Sequence, residues 1–203
     1  MMNGKCSIGI TGGIGSGKSY VSALLQEHFG IPVYDCDKEA KRLTAEDLEI
    51  RQQLIALVGP EVFEGDVLNK QLLADYLFAD PEHASRVNAI IHPAVLKDFV
   101  EWADKQGDEK IVGLESAILF ESGFNDHVDK VLFVDASEEV RLHRAMLRDG
   151  ASEEQIKARM KMQQPEIHRN QADFIIDNNS SDDTRLLVQL NKITHKLSCL
   201  KQF

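Results

Sequence analysis

The reading of this chain turns on Gly12-Gly13-Ile14-Gly15-Ser16-Gly17-Lys18-Ser19. Before it, Cys6 to Thr11 (CSIGIT) is a short apolar run that predicts a strand. After it, Ser19 to Phe29 (SYVSALLQEHF) carries helical spacing at Val21, Leu24, Leu25 and His28/Phe29. The eight residues fit G-x-x-x-x-G-K-[ST] in the strand, loop, helix setting that gives the pattern its meaning. Without Cβ atoms in the way, successive backbone N–H groups can turn inward around phosphate oxygens, and the dipole of the following helix adds to the attraction. Lys18 is placed to neutralise β/γ-phosphate charge, and the Ser19 hydroxyl can serve Mg²⁺, which keeps several waters and bridges phosphates. The expected nucleotide-binding set here is Gly13, Ile14, Gly15, Ser16, Gly17, Lys18, Ser19 and Tyr20.

Working outward, Gly30 stops the helix and Ile31-Pro32-Val33-Tyr34 predicts a second strand ending in Asp35-Cys36-Asp37. Alternation along a strand sends both carboxylates to one side, at the carboxyl edge where ligands gather in α/β sheets. One acid could accept the proton of an attacking hydroxyl while the other touches the Mg²⁺ shell; spacing leaves open which does which, and a turn with a helix cap is the structural alternative. From about Lys38 to Gln106 the pattern is helical, with a capping box at Thr44 to Asp47, apolar stripes at Leu72/Leu73/Tyr76/Leu77 and Val95/Phe99/Trp102, and no strand-like run. Pro93 of His92-Pro93 suits the first turn of a helix. Strand character returns at Lys110 to Leu114, Lys130 to Val134 and Phe174 to Ile176, alternating with helices capped by Ser137, Ser152 and Ser180. Such alternation predicts a parallel sheet. The expected division is a core of residues 1–37 and 108–203 interrupted by a helical insertion over 38–107.

Residues 141–169 place Arg141, Arg144, Arg148, Lys157, Arg159, Lys161 and Arg169 against only Asp149, Glu153, Glu154 and Glu166. Arg144 and Arg148 share a helix face, and a break at Asp149-Gly150 suits a flap, over about 149–171, that brings guanidiniums to a triphosphate and excludes water. This is a basic island in a 203-residue chain of net charge −10, which as a whole repels nucleic acid and anionic membranes. Cys6, Cys36 and Cys199 have neither disulfide-framework nor zinc-ligand spacing. No signal peptide or membrane span is read, so a cytoplasmic setting is expected. A GTPase reading would need N-K-x-D after a strand; Asn191-Lys192-Ile193-Thr194 lies in helical spacing and lacks the acid.

Taken together, ITGGIGSGKS at 10–19, Tyr34-Asp35-Cys36-Asp37, Ile91-His92-Pro93, Leu119-Phe120-Glu121, Arg144-x-x-x-Arg148-Asp149 and Ala172-Asp173-x-x-Ile176-Asp177-Asn178 resemble the dephospho-coenzyme A kinase family over nearly the whole chain. The resemblance implies an α/β fold with a five-stranded parallel P-loop sheet and helices on both faces, a helical insertion that binds the CoA substrate, and a helical lid. It implies transfer of the γ-phosphoryl group of ATP, with Mg²⁺, to the ribose 3′-hydroxyl of 3′-dephospho-CoA. Asp37 takes the position of the proposed base with Asp35 and His92 on the substrate side. Arg144 and Arg148 take the lid-arginine positions, and Asn178 lies beside adenine. Another small-acceptor kinase, such as one acting on nucleoside monophosphates, and a non-catalytic nucleotide-gated module are the rival readings. The chain departs from the family pattern at Arg141, where glutamine is common, and at Glu115-Ser116-Ala117-Ile118; neither departure is expected to touch the phosphate-binding set.

Overall fold

The computed structural model of the chain describes residues 4–163, 165–180 and 182–199. In chain order the elements are β1 (Cys6–Thr11), α1 (Lys18–Phe29), β2 (Val33–Asp35), α2 (Cys36–Glu46), α3 (Leu48–Val58), β3 (Phe63–Glu64), β4 (Val67–Leu68), α4 (Lys70–Ala79) and α5 (Pro81–Asp104). They continue with β5 (Ile111–Glu115), β6 (Lys130–Asp135), α6 (Glu138–Asp149), α7 (Glu153–Lys161), α8 (Pro165–Gln171), β7 (Phe174–Asp177) and α9 (Asp183–Cys199). Five strands form one sheet in the order β2-β5-β1-β6-β7, flanked by helices on both faces. The pairings of β1 with β5 and β6, and of β6 with β7, are parallel.

The chain forms two compact units, one running to Tyr34 and resuming at Ala103, the other Asp35–Trp102. In the first, β1 and β5 are buried along their whole length, as strands covered on both faces must be. Ile8, Ile10, Leu132, Val134 and Ile176 of the sheet pack with Val21, Leu24 and Leu25 of α1 and with Leu186, Leu190 and Ile193 of α9. The parallel register sets Ile10 opposite Glu115 and Thr11 opposite Phe133, so the residues after β1 emerge at the sheet's carboxyl edge between the ends of β5 and β6. Asn191 and Lys192 lie on the exposed side of α9, as their helical spacing predicts.

The second unit is built on buried Ile50, Leu54, Val62, Phe63, Val87, Val95 and Phe99. Arg42 of α2 reaches both oxygens of Asp98 on α5 at 3.0 Å. This unit departs from the sequence reading in three ways. It contains an antiparallel hairpin, Phe63–Glu64 with Val67–Leu68, whose strands are too short to leave a periodic signal. Thr44 lies inside α2 with its hydroxyl on the Ala40 carbonyl, while Asp47 alone caps α3 through the Glu49 and Ile50 amides. Pro93 sits within the 24-residue α5 rather than at a helix start: it removes one helical N–H, but flanking Val87, Val95 and Phe99 are buried and hold the helix together.

Elsewhere the caps at Ser137 and Ser152 form as read, the latter as a full capping box with Gln155. At α9 the Asp182 side chain accepts from Thr184 N, and Ser180 Oγ accepts from Asp182 N. Among the described residues no helix is long and apolar enough to cross a membrane.

Candidate active site

The loop from Gly12 to Gly17 is enclosed from behind. A Cβ on Gly12 would collide with the Val134 carbonyl, one on Gly13 with the Arg141 guanidinium, one on Gly15 with the Arg141 carbonyl and one on Gly17 with the Asn178 carboxamide. Gly15 at φ 76° and Gly17 at φ 92° also hold left-handed backbone that a side chain resists. Glycine is therefore required twice over, by conformation and by close packing. Gly17 is the residue before α1 and offers no side-chain cap, so the first-turn amides are left for an external acceptor. The Ser16 hydroxyl is fully buried and has no partner, a further donor held ready in the loop.

Lys18 Nζ donates to the carbonyls of Gly12 (2.9 Å) and Gly13 (3.4 Å), which folds the ammonium back across the loop. Ser19 Oγ donates to Glu115 Oε1 at 2.7 Å, and Glu115, the last residue of β5, is 7% exposed. Asn178 after β7 donates through Nδ2 to the Ser16 carbonyl (2.7 Å), and its own carbonyl accepts from Arg144 Nη1 (2.8 Å). The structure thus brings together Lys18, Ser19, Arg144 and Asn178 around one loop. The Ile14 amide donates to Gln163 Oε1 at 2.8 Å, and the Ile14 side chain packs on the α6–α7 cluster of Ala145, Ile156 and Met160. Tyr20 sends its hydroxyl to Asp183, whose carboxylate pushes the phenol up from its ordinary range.

Arg148 lies elsewhere. Its guanidinium grips the Asp149 carboxylate at 2.7 and 3.1 Å, and Arg159 reaches the same carboxylate at 2.7 Å. The two guanidiniums, Arg148 foremost, pull Asp149 down to about 2.

In the second unit, Asp35 caps α2 by accepting from Lys38 N at 3.0 Å, and Asp37 stands exposed in the first helical turn. Strand alternation therefore ends at Asp35, and the expected same-side pairing of two strand carboxylates does not apply: the cap turns the chain into a helix at Cys36. Acidic residues in that first turn suit the helix dipole. His92 is half-buried in α5, and burial pushes its imidazole down from the ordinary value.

Three residues at the loop escape a motif reading. Glu115 and Arg141, where departures from the family pattern were expected to leave the phosphate loop untouched, both contact it. Glu115 had a signal, an acid closing an apolar run at the sheet's carboxyl edge, but the predicted strand stopped one residue short. Gln163 had none, because a contact across 149 positions leaves no local pattern.

A parallel sheet whose first strand feeds a glycine loop backed by Lys18, Ser19 and a buried acid defines a P-loop nucleotide-binding protein. A family model described as dephospho-CoA kinase matches residues 6–183. A dephospho-CoA kinase from Bacteroides fragilis is 53% identical over 172 residues, covering 84% of this chain and 83% of that one. One from Porphyromonas gingivalis is 47% identical over 160 residues, covering 79% and 78%. The crystal structure of TT1252 from Thermus thermophilus superposes with a TM-score of 0.81 at 35% identity, covering 95% of this chain and 97% of that one. The chain belongs to the dephospho-CoA kinase family.

Proposed function

We propose that the chain transfers the γ-phosphoryl group of ATP to the ribose 3′-hydroxyl of 3′-dephospho-CoA, giving CoA and ADP. The observation that carries this reading is the phosphate loop with its Ser19–Glu115 pair, set in a chain whose residues 6–183 match the family. In the transfer the bond from the γ-phosphorus to its bridging oxygen breaks, a bond to the 3′-oxygen forms, and the hydroxyl proton leaves to a base. The transition state is loose, so rate comes mainly from alignment and charge balance. The loop amides and Lys18 hold the phosphate chain. Arg144, anchored to the loop through Asn178, adds positive charge, and Arg148 joins it by exchanging Asp149 for phosphate. Asp37 orients and finally deprotonates the hydroxyl, with Asp35 and His92 contacting the acceptor.

Ser19 and Glu115 fit Mg²⁺: both are hard oxygen donors, and this ion takes its other ligands from phosphates and water rather than from a protein cage. When bound, the ion would offset negative charge on the β- and γ-phosphates.

The reading is tested by ADP release with dephospho-CoA, AMP, CMP, shikimate or no acceptor. Release is expected only with dephospho-CoA. Preference for another acceptor would identify a different small-molecule kinase, and slow release indifferent to acceptor would identify a nucleotide-gated module. Asp37→Asn is expected to lower kcat by about 10²–10⁴-fold with ATP affinity little changed. Near-normal turnover would remove Asp37 from the role of base.

A further inference from the structure

Ile14 is gripped twice by the arm that α6 and α7 form. Its side chain packs on the cluster of Ala145, Ile156 and Met160. Its amide donates to Gln163 Oε1 at 2.8 Å, across 149 positions of sequence. Gln163 stands just past α7, and its own N–H donates to the Met160 carbonyl at 3.1 Å, so the carboxamide is rooted on the end of a helix. The other half of the same peptide, the Gly13 carbonyl, accepts from Ser16 N at 3.1 Å and from Lys18 Nζ at 3.4 Å. The Gly13–Ile14 peptide is therefore tied on its carbonyl edge by the loop itself and on its amide edge by Gln163.

The Ile14 side chain is seated in its cluster without the hydrogen bond, so packing does not call for Gln163. What the carboxamide adds is direction. Gly12 and Gly13 give the backbone before this peptide little steric restraint, and its tilt is set by its hydrogen-bond partners. A loop that binds phosphate through main-chain amides works best when those amides are already oriented, because no reorganisation is then needed at binding. We propose that Gln163 is a positioning residue of the nucleotide site: acting through the Gly13–Ile14 peptide, it holds the loop in its phosphate-binding form. A phosphate chain draws the Lys18 ammonium away from the Gly12 and Gly13 carbonyls, and Gln163 then keeps the peptide from turning. Gln163 itself touches no phosphate in this account. The inference rests on the nucleotide reading of the loop given above.

The test reads the peptide and the ligand separately, in the full chain. Gln163→Met removes the acceptor at similar length, Gln163→Asn keeps the carboxamide but falls one methylene short, and Gln163→Glu keeps an acceptor at full reach. In the nucleotide-free chain, hydrogen exchange at the Ile14 amide is expected to quicken about threefold to tenfold in Gln163→Met and Gln163→Asn, the size of one lost hydrogen bond. In Gln163→Glu it is expected to stay near the wild-type rate. Titration of Gln163→Met and Gln163→Asn should raise Kd for ATP about threefold to tenfold and leave Kd for adenosine, which has no phosphate, within about twofold. Equal weakening of both ligands would mark a loosened fold and overturn the proposal. ATP affinity within about twofold of the wild type in both variants would overturn it as well, even where Ile14 exchanges faster. Tighter ATP binding would do the same, by showing that the carboxamide competes with the nucleotide for the amide. Turnover does not enter these measurements. A wild type that prefers ATP to adenosine yet transfers nothing to dephospho-CoA would overturn the kinase reading and leave the Gln163 result to stand or fall by itself.

Discussion

The phosphate loop and the basic segment from Arg141 to Arg169 both gather positively polarised groups, yet they are built in opposite ways. In the loop, function lies in the main chain. Gly12 and Gly15 are fixed by backbone atoms behind them, Gly17 by its left-handed backbone, and Gly13 packs against the end of the Arg141 side chain. In the basic segment, one residue type is given several tasks. Arg144 is tied to the Asn178 carbonyl, Arg148 and Arg159 share Asp149, Arg169 pairs with Asp135, and Arg141 is buried with an open donor. A backbone site is specified locally and tolerates little. A side-chain site is specified by distant partners, and its members can exchange them.

The contrast predicts a ranking. The largest effect is expected at Lys18, the loop's one charged side chain: Lys18→Ala should lower kcat by at least about 10²–10³-fold and weaken ATP binding. Unaffected turnover would break the assignment of the loop as the site. Next comes Gly15→Ala, which adds only a methyl group but sets it against the Arg141 carbonyl at φ 76°. It should cost about 1–3 kcal/mol of stability, read as a thermal midpoint several degrees lower. An unchanged midpoint would mean that the loop tolerates a side chain and that the contrast is overstated.

The smallest effect is expected at Asp149→Asn in the basic segment. The carboxyl is held at about 2, below its ordinary range, so it stabilises the folded chain at neutral pH. That contribution is lost as pH falls from about 4 through about 2. The urea midpoints of the wild type and Asp149→Asn should therefore differ slightly at pH 7 and converge as the solution is acidified. A difference unchanged between pH 7 and pH 3 would show that the Arg148–Asp149–Arg159 group does not act as a charge cluster.

The same contrast explains what could be read from the sequence. The first strand, loop and helix are legible almost residue by residue, because their pattern is contiguous and steric. The parallel order of the later strands follows from alternation with helices. Asp37 was read on a strand because alternation says nothing of the Asp35 side chain, whose cap on Lys38 N starts a helix one residue earlier. The Phe63–Leu68 hairpin is too short for periodicity, though Gly65-Asp66 marks its turn. The basic island was visible as a charge excess, but the partner of each arginine was not. Arg144 meets a carbonyl 34 positions away and Arg169 a carboxylate 34 positions away, contacts that only the folded sheet creates.

The central claim is that a nucleotide held by this loop gives its terminal phosphoryl group to a ribose alcohol. Incubation with γ-labelled ATP, magnesium and 3′-dephospho-CoA, followed by isolation of the acceptor, measures that directly. One label per CoA formed, located on the 3′-oxygen and matching the ADP released, is the predicted result. Label appearing as inorganic phosphate beside unaltered dephospho-CoA would contradict it.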